Sequence, residues 1–162
     1  MLKQCCDYLQ QHQLTIAFIE SASSGYLSSQ FSIYKNSGAN ILLGGLVSYD
    51  PSIKINILKI DPFLIKNYSA ESAQVTDAMA IQGKKLFSQA DVIVACTGLL
   101  KSGGSESIEK PEGTFFITIL YQQHIHSFRY FIAGSVLDRL NQLTEYVAQD
   151  LLNVISNSSD FN

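Results

Sequence analysis

The chain has 162 residues, of which 46% are hydrophobic and 15% charged, and its net charge is −3. That length fits one domain, 1–162, with room for a sizeable core. The acidic balance argues against a general nucleic-acid binder, which would carry a basic face. No apolar run approaches the roughly 20 residues that span a bilayer. The opening MLKQCCDYLQQHQ lacks the apolar region of a signal peptide. Cys5, Cys6 and Cys96 are an odd count with one adjacent pair, neither a disulfide framework nor a zinc pattern. A reduced, cytoplasmic protein without membrane association is expected.

In chain order, residues 2–12 predict a helix, with Leu2, Cys5, Cys6 and Leu9 on one face. Thr15 to Ile19 is a short apolar run rich in β-branched residues, suited to a buried strand. Glu20-Ser21-Ala22-Ser23-Ser24-Gly25 follows as a polar turn, then a helical pattern over about 23–33. A second strand is expected over 42–49, with Gly44-Gly45 marking a bulge or close approach. Asp50-Pro51 and Asp61-Pro62 each open a short helix, Asp as cap and Pro at the first position. Lys54 stands one turn into the first of these, outside the core. Ser69 to Ser88 reads as the long helix and Ala90 to Cys96 as a strand buried on both faces, running into Thr97-Gly98. Residues 99–112 form a loop broken by Gly103-Gly104 and Pro111. Strands over 113–120 and 125–132 make a hairpin, a helix runs from 134–135 to about 155, and 156–162 is expected to fray. This order predicts an α/β protein, a three-layer α/β/α sandwich around a mixed sheet.

Ligands of open α/β sheets sit at the carboxyl ends of strands, where a helix start adds free N–H groups and a positive dipole end. Glu20, Ser21, Ser23, Ser24 and Gly25 occupy such a place. An N-cap role is the alternative for any of the serines. Thr97 and Gly98 end another strand and, with the loop glycines, could cradle an anion. His12, His124 and His126 show no ligand set with a third member, so neither a metal nor another cofactor is expected. There is no Gly-x-Ser-x-Gly elbow. A serine here would need a lysine base, and Lys54 and Lys110 are the candidates. Spacing alone does not name the reaction.

Four stretches carry a resemblance: ESASSG at 20–25, GGLVSYDPSIK at 44–54, TGL at 97–99 and EKPEGT at 109–114. Their order and separations resemble the CinA C-terminal domain family of nicotinamide-nucleotide amidohydrolases, over about residues 3–155. The resemblance implies a layered α/β fold and metal-independent hydrolysis of the carboxamide of nicotinamide mononucleotide by a Ser–Lys pair. It implies Lys54 as the base, Tyr49 as its support, and Ser21 as a residue that binds or orients substrate. Lys110, Gly113 and Thr114 fall on the motif near the ligand's phosphate or ribose. The implied partner is a small pyridine nucleotide, and the apolar hairpin offers a surface for pairing between copies.

The chain departs from the family pattern at several places. The family's nucleophile lies in a Gly-Ser-Ser stretch before the second strand, where this chain reads Asn36-Ser37-Gly38-Ala39. Ser37 is the nearest hydroxyl. Either Ser37 serves from a shifted loop, or the domain has lost its nucleophile and only binds a nucleotide or protein partner. Leu100-Lys101-Ser102 replaces the usual Gly-Pro, and Tyr26 replaces a glycine of the first motif. Gly134-Ser135-Val136 replaces Gly-Asp-Arg, losing an arginine for which Arg139 is the candidate substitute.

Overall fold

Strand β1 (Ile16–Glu20) is buried along its whole length, with a strand on each edge and apolar residues packed on each face. It pairs in parallel with β2 (Leu42–Val47) and with β3 (Val92–Gly98). β3 pairs antiparallel with β4 (Thr114–Tyr121), and β4 with β5 (His124–Phe131), so the five-stranded mixed sheet runs β2-β1-β3-β4-β5. This is a computed structural model that describes residues 1–157; the expected frayed tail lies, from 158 onward, outside the described residues.

Period-two alternation divides the sheet's side chains between two cores. Ile16 and Phe18 of β1, Val92, Val94 and Cys96 of β3, and Phe115, Ile117 and Ile119 of β4 face one core. Leu2, Cys5, Cys6 and Leu9 of α1 (Leu2–Gln11), Leu27 and Phe31 of α2 (Tyr26–Tyr34), and the stripe Leu143, Val147, Leu151 and Val154 close it. Phe18 and Phe31 meet there with ring centroids 4.9 Å apart, tilted at 56°. Ala17, Ile19, Ile93 and Ala95 face the other core, with Val75, Met79 and Ala80. The layers are therefore α/β/α, as the element order predicts.

Several boundaries differ from the sequence expectation, among them β2, which ends at Val47, and α2, which starts at Tyr26. α3 (Pro51–Asn56) and α4 (Pro62–Tyr68) start where the Asp-Pro pairs place them, with Asp50 accepting from Ser52 N–H and Asp61 from Phe63 N–H. The expected long helix over 69–88 is shorter: Ser69 turns the chain at φ 71°, and α5 (Ala73–Leu86) begins only after Ser72, whose Oγ accepts from Val75 N–H. The hairpin turn tightens to Gln122-Gln123, both at positive φ (48° and 67°), so the strands reach Tyr121 and His124. β3 extends through Thr97 to Gly98, and α6 (Val136–Asn157) outruns its expected end. Gly83 inside α5 has a packing reason, because a Cβ there would stand 2.5 Å from Ile19 Cγ1. The helix rests on β1 at that point.

Candidate active site

The carboxyl end of β1 is organised by Glu20. Its buried carboxylate accepts from the N–H groups of Gly25 (3.0 Å), Leu27 (3.1 Å) and Ser28 (2.8 Å). These are the donors that the first turn of a helix leaves unsatisfied, and a negative charge at that end also suits the helix dipole. Glu20 is thus committed to α2, which corrects its expected role as a substrate ligand. No serine side chain caps α2, whose N-cap is Gly25. The serines of the turn are free for other work.

Ser21 is fixed through its backbone. Its N–H donates to Cys96 O (2.9 Å) at the end of β3, and its carbonyl accepts from Ser24 N–H (3.0 Å). Ser24 and Gly25 wind the turn through positive φ values of 49° and 91°. Ser21 and Ser24 then line a cleft of about 530 Å³ together with Tyr49, Glu71, Gly98 and the loop residues Leu99 to Gly104. Gly98 must be glycine, since a Cβ would stand 2.7 Å from Thr114 O.

Lys54 reaches this place from α3. Contrary to the sequence expectation it is a core residue, 1% exposed. Its Nζ donates to Ser48 O (2.5 Å) and, less closely, to Tyr49 O (3.4 Å), and lies 2.9 Å from Ser21 Oγ. The two carbonyls can only accept, so they hold N–H bonds. The third direction points to a hydroxyl, which can accept or donate. Burial lowers the Lys54 pKa from 10.5; the charges of Glu71, Asp50 and Cys96 act the other way. A neutral Lys54 would turn its lone pair to Ser21 Oγ–H.

Ser37 is not part of the site. It lies in an exposed turn before β2, at the amino end of the sheet, where neighbouring Asn36 donates to Gln10 Oε1 (2.7 Å) at the end of α1. Lys54 follows β2, at the carboxyl end. The length of a whole strand separates them, because β1 and β2 run in parallel from Ile16↔Leu42 to Glu20↔Val47. The hydroxyl that meets Lys54 is Ser21.

The remaining candidates divide. Tyr49 stands at the cleft rim, 65% exposed. Ser23 is buried beside Cys96, whose thiol burial pushes up to about 12. Thr97 is buried and its hydroxyl pairs with that of Thr76 on α5 (2.7 Å), so β3 offers Gly98 to the cleft and not Thr97. Gly113 and Thr114 close the stem of the loop: Gly113 N–H donates to Leu99 O (2.7 Å), and Leu99 N–H to Thr114 O (2.8 Å). Lys110 lies in a neighbouring, larger cleft, where its Nζ contacts Ser69 Oγ (2.7 Å), Ser105 Oγ (2.6 Å) and Glu71 O (2.7 Å). Arg139 is occupied as well, donating from Nη1 to Leu100 O (2.8 Å) and to Glu112 Oε1. Among the described residues no group of three or more His, Cys, Asp or Glu side chains is placed to hold a metal ion.

Sequence reasoning missed Glu71. It borders both clefts, and Ser105 Oγ donates to its Oε2 (2.5 Å). A signal was available: a helix that feeds a parallel strand runs back along the sheet, so its start lies at the carboxyl ends of the strands.

The chain belongs to the CinA C-terminal domain family, whose model matches residues 1–155. It is 33% identical to a CinA-like protein of Thermotoga neapolitana over 127 residues, which are 78% of this chain and 30% of that protein. It is 31% identical to a CinA-like protein of Sulfurihydrogenibium over 147 residues, 91% of this chain and 35% of the relative. The chain thus spans about a third of these two curated relatives. Protein MG115 of Mycoplasma genitalium is nearer in size, with 32% identity over 123 residues and 75% of each chain covered. Among solved structures, a CinA superfamily protein from Klebsiella pneumoniae 700603 superposes with a TM-score of 0.87 at 20% identity, covering 96% of both chains. One from Enterobacter cloacae gives 0.84 at 24% identity, with 94% of this chain and 89% of that one covered. Both likenesses concern the fold.

Proposed function

We propose that this domain deamidates nicotinamide mononucleotide to nicotinate mononucleotide and ammonia, with Ser21 as nucleophile and Lys54 as its base. The observation that carries this reading is the 2.9 Å approach of Lys54 Nζ to Ser21 Oγ at the mouth of a cleft. Buried lysines are poor cations and therefore good bases near neutral pH. The Ser48 and Tyr49 carbonyls hold two of the amine's hydrogens and aim its third position at the serine.

In the first half-reaction, neutral Lys54 takes the Ser21 hydroxyl proton as Oγ bonds to the carboxamide carbon. The carbonyl π electrons move to oxygen and form a tetrahedral oxyanion. This reading assigns that charge to backbone N–H donors of the cleft wall, where Ala22 and Gly98 are the candidates. The C–N bond then breaks, and the departing nitrogen takes the proton from Lys54 to leave as ammonia. In the second half, Lys54 takes a proton from water, the hydroxide oxygen bonds to the acyl carbon, and Ser21 Oγ leaves with the proton returned to it. Tyr49 supports the base through its carbonyl, which accepts from Lys54 Nζ, while its side chain stands at the cleft rim. The phosphate end lies toward the loop, where Lys101 and Gly103-Gly104 border the cleft.

The alternative is a domain that binds a nucleotide without hydrolysing it; the Ser21–Lys54 pair weighs against it. Ammonia release from nicotinamide mononucleotide by the purified protein tests the reading. Ammonia and nicotinate mononucleotide in equal amounts are expected. Binding in calorimetry with no ammonia would favour the alternative, and neither binding nor ammonia would reject both.

A further inference from the structure

The cleft beside Ser21 contains one carboxylate among its lining residues, that of Glu71. Glu71 sits in the short segment between α4 and α5, held by the Ser69 hydroxyl, which donates to its carbonyl (3.2 Å), and by Lys110, which donates to the same oxygen. Its Oε2 accepts from Ser105 Oγ, while no protein donor among the described residues reaches Oε1. Gly104 lies on that side, where a Cβ would stand in ordinary contact, 3.6 Å from Oε1. Glu71 thus brings to the cleft a half-buried negative charge with one oxygen that no protein donor among the described residues satisfies.

Lys54 and Lys110 do not neutralise it by direct contact. Neither amine forms an ion pair with the carboxylate; both sit near enough for its charge to raise their pKa values against the effect of burial. An open carboxylate in a partly desolvated cleft attracts a cation and repels an anion more strongly than it would in water.

We propose that Glu71 is a specificity-determining residue that selects amide substrates with a positively charged ring, so the site prefers a cationic pyridinium carboxamide to its neutral counterpart. This rests on the deamidase reading above and adds to it. A pyridinium carries its charge a few atoms from the carboxamide, so a ring whose amide carbon meets Ser21 brings that charge into the cleft that Glu71 borders. Reduction of the ring removes the charge and keeps the amide, ribose and phosphate.

The experiment compares nicotinamide mononucleotide with its reduced, dihydropyridine form. Binding is measured by calorimetry and turnover by ammonia release, for the wild type, Glu71→Gln and Glu71→Asp. The wild type is expected to prefer the cationic form by roughly tenfold or more in binding and in kcat/KM. Glu71→Gln should reduce this to within about twofold, and Glu71→Asp should keep most of it. A wild type without preference, or a folded Glu71→Gln protein that keeps the full preference, overturns the proposal. If neither nucleotide releases ammonia but the binding preference depends on Glu71, the deamidase reading fails and the selectivity stands. If neither binds, both fall.

Discussion

Lys54 Nζ lies 2.9 Å from Ser21 Oγ although 33 positions separate the two residues in the chain. The parallel pairing of β1 with β2 brings them together. Both strands end on the same side of the sheet, Ser21 follows β1 directly, and α3 returns Lys54 to that end after β2.

Ser21→Ala should therefore abolish ammonia release, by about a thousandfold or more, while Ser37→Ala should leave it within about twofold of wild type. Steady-state ammonia assays on both variants check this. Activity that survives in Ser21→Ala and disappears in Ser37→Ala would move the nucleophile to the exposed turn and undo the assignment.

A second expectation concerns pH. Lys54 must be neutral to accept the serine proton, and burial lowers its pKa below the ordinary 10.5. The sign follows: kcat/KM rises with pH through the folded-state value, with a midpoint below 10.5. The same shift acts on stability. Between the folded value and 10.5 the unfolded chain binds more protons, so the Lys54 contribution to stability improves as pH rises through that window and is most unfavourable below it. Lys54→Met keeps the buried stem and removes the charge. It should fold, with Tm at pH 7 within about 5 °C of wild type or above it, and be inactive. Circular dichroism melts and a pH–rate profile read the two effects separately. A wild-type profile that shows no rise at any pH below 10.5 would remove Lys54 as the base.

Glu20 makes a contrasting prediction, since its role is in the fold. Replacing it with Gln turns one acceptor into a donor, against N–H groups that already need an acceptor. A loss of about 2–3 kcal/mol is expected, or roughly 5–10 °C in Tm for a domain of this size. Substrate affinity measured well below the transition should change little. An unchanged Tm with lost affinity would return Glu20 to the substrate.

Much of this was legible in the sequence. The continuous apolar run of β3, the Asp-Pro helix starts and the strand–turn–helix at Ser21 each have a local signature, and the structure follows them. Three details were lost, each because it depends on how the chain packs. Glu20 reads as a functional carboxylate because it follows a strand, but the chain folds back within eight residues and the helix start claims it. Ser37 reads as a nucleophile by distance along the chain, yet distance in sequence does not state which end of a parallel sheet a turn occupies. Lys54 reads as exposed by composition; its burial depends on the Ser48 and Tyr49 carbonyls, which only the packed β2–α3 corner provides.

The last prediction concerns Arg139. In sequence it is the candidate substitute for a missing phosphate ligand, but in the fold its Nη1 joins Leu100 O and Glu112 Oε1, and Glu112 in turn accepts from Ser102 Oγ (2.5 Å). Leu100 and Ser102 border the cleft. Arg139 is thus a positioning residue that holds one cleft wall from behind, without contact with the Ser21–Lys54 pair. Arg139→Met keeps the length of the side chain and removes the fork. KM should rise roughly tenfold while kcat changes by less than about threefold, and proteolysis within 99–112 should quicken. A fall in kcat at unchanged KM would instead mean that the wall contributes to the transition state. An unchanged proteolysis rate together with weaker binding of inorganic phosphate would restore the arginine to the ligand.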